Sequence, residues 1–144
     1  MSEQLTIRTA KNSDAAELAK LTGELGYPAS TEEMERRLEE LSSKPHHGIF
    51  VAELDSAAGW IHVAVIQSLE SGSYAEILGL VVAESRRNSG IGTRLVTAAE
   101  QWAQKKGCHK IRVRTNIVRE KTRMFYKKLG FRTKKTQEVF DKML

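Results

Sequence analysis

The sequence has a single cysteine, Cys108, in 144 residues. That excludes an intrachain disulfide and any metal centre built from several thiolates. Cys108 lies in "KKGCHKIRVR", between a helical pattern and a strand pattern, and reads as a small buried residue rather than a nucleophile. Proline occurs twice, at Pro28 and Pro45, and each marks a break between elements. No apolar run approaches the ~18 residues of a membrane span. The start, "MSEQLTIRTAKNSD", lacks the basic segment and apolar block of a secretory signal, so a cytoplasmic location and no membrane partner are the expectation. The Gly-Lys-Ser/Thr of a nucleotide-binding Walker loop is missing.

Charge of one sign is scarce in one region. Between Lys105 and Lys135 there are thirteen Lys and Arg against one acid, Glu120. With +5 on the whole chain, that segment carries +12 and the rest about −7. Such asymmetry calls for an anionic partner, either nucleic acid or a phosphorylated small molecule. The segment offers no row of aromatics for base stacking and no helix-turn-helix, so nucleic acid is the weaker reading.

Periodicity sets out the elements. "QLTIRT" alternates as a strand, and "KNSDAAELAKLTGELG" follows with a helical face, capped by Asn12 or Ser13 and ended by Gly26. "STEEMERRLEELSS" restarts a helix with Ser30 or Thr31 as its N-cap and Met34, Leu38 and Leu41 as its stripe. "GIFVAEL" and "AAGWIHVAVIQSL" form a hairpin. "SYAEILGLVV" is a central strand whose Gly79 marks a bulge or the close approach of a ligand. A helix runs from Gly90 to Gly107, "HKIRVRT" is a strand, "REKTRMFYKKLG" a short helix, and "FRTKKTQEVFDKML" one or two last strands. The sum is one α/β domain over residues 1–144, with a mixed sheet of six to seven strands and four helices. The helical crossover from Val82 to Ile111 makes those two strands parallel.

The turn between the central strand and its helix, Arg87-Asn88-Ser89-Gly90-Ile91-Gly92, is built for an anion. First-turn N–H groups of a helix lack intrahelical acceptors, and the dipole adds positive charge. Gly90 and Gly92 keep side chains away, so a pyrophosphate can approach the backbone. Arg86, Arg87 and Arg94 add full charges. The dinucleotide fingerprint does not fit, because its third glycine falls on Thr93.

Strand, Arg87-x-x-Gly90-x-Gly92 and long helix together resemble the acetyl-coenzyme A signature of the GNAT superfamily of N-acyltransferases. "RVRTNIVREKTRMFYKKLGF" is similar to that superfamily's downstream block, with Asn116, Phe125, Tyr126, Leu129, Gly130 and Phe131 at matching positions. The resemblance spans essentially the whole chain. It departs at Asn88, where many relatives carry glycine, yet Asn tolerates positive φ better than other side chains.

The resemblance implies a GNAT-like fold and direct acetyl transfer from acetyl-coenzyme A, as cosubstrate without a metal, to a primary amine. Leu80, Val81, Val82 and Arg87 through Thr93 (Arg87, Asn88, Ser89, Gly90, Ile91, Gly92, Thr93) would hold the coenzyme together with Asn116. Backbone N–H groups near Leu80–Val82 would stabilise the oxyanion. Tyr126 would protonate the leaving sulfur, with Phe125 left to the core face. Glu76 is the expected base if burial raises its pKa, and His62 the alternative. His46 and His47 have no third metal ligand nearby in sequence. A small-molecule amine is the expected substrate, bound near "ELGYPASTEEMERRLEEL", and a protein amine or an acyl-coenzyme A sensor is the alternative. Within the superfamily, both aminoalkylphosphonate and aminoglycoside N-acetyltransferases look similar. A homodimer through the last strands is possible by analogy with relatives.

Overall fold

A computed structural model describes residues 4–144. Met1–Glu3, the first part of the stretch read for a signal, lie outside them. Two compact units are present, one reaching to Val113 and one from Arg114 to Leu144.

In the first unit the order is β1 (Thr6–Thr9), α1 (Ala15–Glu24), α2 (Thr31–Ser42), β2 (His47–Glu53), β3 (Ala57–Ser68), β4 (Gly72–Val82), α3 (Ile91–Lys105) and β5 (Ile111–Val113). The strands lie in sequence order in one sheet, antiparallel from β1 to β4, with β5 added parallel to β4. The α3 crossover forces that last parallel step, as the pattern requires.

Strand alternation sorts the core into two layers. Val51 and Val81 share a face with Leu18, Leu21, Met34 and Leu38 of α1 and α2, and Trp60 packs there too. The opposite face takes α3: the sites where Gly59 and Gly48 lack a Cβ are filled by Leu95 and Trp102. Ser30 caps α2 as expected, accepting the Glu33 N–H while Glu33 accepts the Ser30 N–H. The start of α1 differs from expectation. A 3-10 turn covers Asn12–Asp14, and Asp14 is the first polar anchor, buried and gripped bidentately by Arg8 at 2.8 Å on both oxygens. Asp14 also accepts the Lys11 N–H at 2.7 Å, so a carboxylate paired with Arg8, and not Asn12 or Ser13, holds the helix start.

The second unit contains α4 (Glu120–Lys128), and residues 131–144 follow without helix or strand. The sheet therefore has five strands among the described residues, not six to seven. The reason is legible in "TKKTQEVFDKML". Its apolar residues Val139 and Phe140 are adjacent rather than alternating, and both are over four-fifths exposed. A strand with no one-sided apolar stripe has nothing to fix its register against a sheet.

β4 contains the feature that shapes the site. His62 pairs with Gly79 and Val63 with Ile77, so Leu78 is an extra residue, a bulge. A Cβ on Gly79 would stand 2.8 Å from Trp60 Cη2, so the glycine yields to the chain's own indole. Before the bulge the Ala75 N–H points to β5, bonding Lys110 O at 2.9 Å. After it, the Ala83 N–H bonds Ala58 O beside β3 at 2.7 Å. Alternating back from Ala83, Val81 faces β3 while Val82 and Leu80 face the β5 side. β5 pairs only with Ala75–Ile77, so Leu80 and Val82 turn their N–H groups toward a side where the sheet has ended. This also explains why Leu78, Gly79, Leu80 and Val82 are not fully covered, although the run is apolar on both parities after Ile77.

Candidate active site

The turn after β4 is exposed from Arg87 to Gly90, and buried Ile91 anchors its far end. A 3-10 turn over Glu84–Arg86 leads into it. Asn88 sits at φ 65°, which confirms that the position needs the left-handed region and that Asn supplies it without glycine. Gly90, at φ 85° and ψ 0°, is the N-cap of α3. It contributes no side-chain cap, and α3 has no acid in its first turn. Space for 4 Å around an added Cβ at Gly90 is open. The first-turn N–H groups and the dipole are thus left for an outside anion. Ser89 Oγ is turned inward to Arg86 O, which braces the loop.

The three arginines do not act alike. Arg94 donates to Leu5 O at 3.1 Å, and Arg86 reaches Asp55 at 3.5 Å. Those two brace neighbouring segments, while Arg87 stays on the exposed stretch of the turn. Gly92 and Thr93 lie in the first turn of α3.

Glu76 lies on β4 just before the bulge and is buried. It is in register with Ala64 of β3 and Arg112 of β5. Arg112 in turn donates to Tyr74 Oη at 3.3 Å and lies over the Tyr74 ring. His62 is on the same face, two residues before Ala64. Its Nε2 meets Nδ1 of His47 at 2.9 Å, a pairing the sequence reading missed. The hairpin brings the two together diagonally across β2 and β3, so only the strand register could have revealed it. Burial, and secondarily the nearby His47, push His62 down to about 4, and burial lowers His47 as well. Among the described residues no group of three or more His, Cys, Asp or Glu is arranged to hold a metal ion.

His62 gives an acid-stability prediction. Its pKa is depressed from 6.5 to about 4 on folding, so between those values the unfolded chain binds more protons. Its contribution is full above pH 6.5 and is lost as pH falls toward 4. About 2 kcal/mol should disappear over that window. Asp14, held below the usual carboxylate range chiefly by its hydrogen bonds from Arg8, extends the loss to lower pH. Thermal melts against pH should show the slope, and His62→Gln should flatten its upper part.

In the second unit, Asn116 Oδ1 accepts the Val118 N–H at 3.1 Å, closing a turn ahead of α4. Tyr126 is the buried residue of α4, and Phe125 is only half-buried. This corrects the expectation that Phe125 alone takes the core face. The Tyr126 ring meets Phe125 and Phe131 edge-on, with centroids 5.0 and 5.4 Å apart. Burial raises its phenol to about 12, so it stays protonated and able to donate at physiological pH.

A mixed sheet whose β4 parts from β5, followed by a glycine-capped helix with an uncapped first turn, defines an acyl-coenzyme A acyltransferase fold. The model of the acetyltransferase (GNAT) family matches residues 15–131, and the chain belongs to that family. It is an N-acetyltransferase of the GNAT type. A curated relative, aminoglycoside N(6′)-acetyltransferase type 1 of Klebsiella aerogenes, is 28% identical over 133 residues, covering 87% of this chain and 88% of that protein. The crystal structure of glucosamine-6-phosphate N-acetyltransferase from Arabidopsis thaliana superposes with a TM-score of 0.82 at 25% identity, over 96% of this chain and 99% of that one. The aminoglycoside N-acetyltransferase AAC(6′)-Iy in complex with CoA has the same fold, with a TM-score of 0.88 at 19% identity over 100% and 98% of the chains. Among the described residues no helix is long and apolar enough to cross a membrane.

Proposed function

We propose that residues 1–144 act as one acetyltransferase domain that moves an acetyl group from acetyl-coenzyme A to a primary amine of a small molecule. The family match starts in the first compact unit and extends into the second as far as residue 131, which supports treating them as one working domain. The observation that carries the cosubstrate is the Arg87–Gly92 turn, with its left-handed Asn88 and Gly90, its open approach and its uncapped helix start. These features fit a pyrophosphate. Arg87, Asn88, Ser89, Gly90, Ile91, Gly92 and Thr93 would hold it through backbone N–H groups and the Arg87 charge. Leu80, Val81 and Val82 would take the extended arm along the open β5 side, with Asn116 as a further contact.

Bound acetyl-coenzyme A supplies the thioester whose acyl group is transferred. The chain's own groups do the rest. The Leu80 and Val82 N–H groups stabilise charge developing on an acyl oxygen, since they are fixed and need no reorganisation. Glu76 draws the cationic amine and accepts its proton, directly or through water. Tyr126 donates a proton to sulfur. The small-molecule assignment rests on the Klebsiella relative, whose name gives an aminoglycoside as its substrate. The acids of the α1–α2 region suit such a polycation, although Glu33 is partly occupied by the cap and by Arg37 at 3.7 Å.

Calorimetry with acetyl-coenzyme A, in low salt and in about 0.5 M salt, tests the turn. Stoichiometric binding that weakens with salt is expected. A thiol-release screen over aminoglycosides, polyamines and aminoalkylphosphonates then tests the amine. Absence of binding at low salt would sink the assignment of the turn. Binding with no productive small amine would move the substrate to a protein.

A further inference from the structure

His47 and His62 are joined in a way the reaction above does not use. Their facing nitrogens are 2.9 Å apart and their ring centroids 5.1 Å apart. That centroid distance is close to the longest a straight line through both nitrogens allows. The N–H of one ring therefore points along the lone pair of the other. Two imidazoles gripping one metal ion would converge on it at an angle, and their centroids would lie nearer. The contact is a hydrogen bond that shares one proton position, not half of a metal site.

The ends of the pair lead to different places. His62 stands across from Gly79 at the bulge, on the face that carries buried Glu76. His47, at the start of β2, lines a cavity of about 470 Å³ with Ser42 of α2 and Gln101, Trp102 and Lys105 of α3. Arg8, Ser42, Gln101 and Lys105 give the cavity polar lining, and it is large enough for several waters. We infer that His62 and His47 form a proton exit, carrying the proton released by the amine from Glu76 to water in this cavity. This rests on the acetyltransferase reading of the site.

Glu76 holds the amine proton and passes it, directly or through water, to Nδ1 of His62. The Nε2–H of His62 moves to Nδ1 of His47, and the Nε2–H of His47 goes to water. One proton has left, and each ring now keeps its hydrogen on Nδ1. When product departs the hydrogens run back: water gives a proton to His47 Nε2, the Nδ1–H of His47 returns to Nε2 of His62 across the 2.9 Å contact, and the Nδ1–H of His62 goes to water admitted by the emptied site, which restores the starting pair. The direction follows from burial. His62 is the more deeply buried and holds a proton poorly, at about 4, so it passes charge outward instead of storing it. The charged and titratable groups around the pair are Lys44 and His46 next to His47, Glu76 on β4, and Arg8 and Lys105 at the cavity. The positive charges at the outer end favour release to water over retention on His47.

The test uses the full chain, an aminoglycoside as amine, and His62→Gln and His47→Gln variants. His62→Gln should lower kcat at neutral pH by about tenfold to a hundredfold, with the KM for acetyl-coenzyme A unchanged. His47→Gln should lower kcat by about tenfold and make the rate depend on added imidazole buffer, which carries the proton in its place. A merely structural pair would show no buffer rescue. Ring ¹⁵N NMR of the free protein gives a readout that needs no turnover, with the two rings expected to exchange between tautomers from about pH 5 to about pH 9. Wild-type kcat and pH profile in both variants, or a fixed tautomer with the hydrogen always on His62 Nδ1, would overturn the exit. Failure of the unsubstituted protein to bind acetyl-coenzyme A would instead overturn the acetyltransferase reading of the turn, and the NMR would still decide whether the pair conducts.

Discussion

Tyr126→Phe is expected to lower kcat by about 10²- to 10³-fold, the range in which a positioned proton donor contributes. Coenzyme binding should be unchanged. The substitution removes one oxygen and keeps the ring, so the edge contacts to Phe125 and Phe131 survive. Stability should therefore change little, which separates this variant from one that fails to fold. The phenol is suited to the task by its environment. Burial holds it up to about 12, so the donating form is populated across the working pH range. Steady-state thiol release together with coenzyme titration checks both halves. A Tyr126→Phe enzyme with full kcat would make Tyr126 a packing residue and leave sulfur to leave as the thiolate.

The second large effect is structural. Gly59→Val should lower the unfolding free energy by about 3 kcal/mol or more, because overpacking against backbone has no cheap relief. A Cβ there would sit 2.8 Å from Val81 O and 3.4 Å from Val82 Cα, with Leu95 Cδ1 at 3.2 Å. Relief requires β4 to move away from β3, and β4 is the strand whose open side is assigned to the coenzyme. Melting should fall by roughly 10 °C, and coenzyme affinity of the remaining folded protein should fall as well. Gly79→Ala is the control. Its Cβ meets only the far edge of the Trp60 ring and no backbone, so a smaller loss is expected there. A Gly59→Val protein as stable as the parent would show that β3 and β4 can separate without loss.

Most of the frame was legible because it rests on local signals. Ser30 with Glu33 announces a helix start, and the glycines of the Arg87–Gly92 turn announce a strand handing over to a helix. The parallel placement of β5 follows from the length of its crossover. What could not be read depends on partners distant in sequence. The buried Arg8–Asp14 pair, extended by Glu53 at 3.1 Å, joins three elements. The His47–His62 bond needs the hairpin register, which an irregularity at Ala52/Glu53 shifts. Which of Phe125 and Tyr126 is buried depends on the fold around α4, since neighbours on a helix differ by only 100° in direction. The final segment holds apolar residues that do not alternate, so nothing in it fixes a strand's register.

The bulge at Leu78 places information in the length of a strand instead of in the identity of a residue. A strand counts in twos. Odd residues of β4 face β5 with their N–H groups before the bulge, and even residues do so after it. The same frame-shift moves side chains, so that Glu76 and Val81 share a face despite opposite parity. Leu78 itself is exposed, and almost any side chain should serve there. Removing it would be a different kind of lesion. Every position from Gly79 to Val82 would change address at once, with apolar side chains sent to the wrong layer and the Leu80 and Val82 N–H groups turned back into the sheet. The strand thus tolerates substitution at Leu78 and does not tolerate deletion.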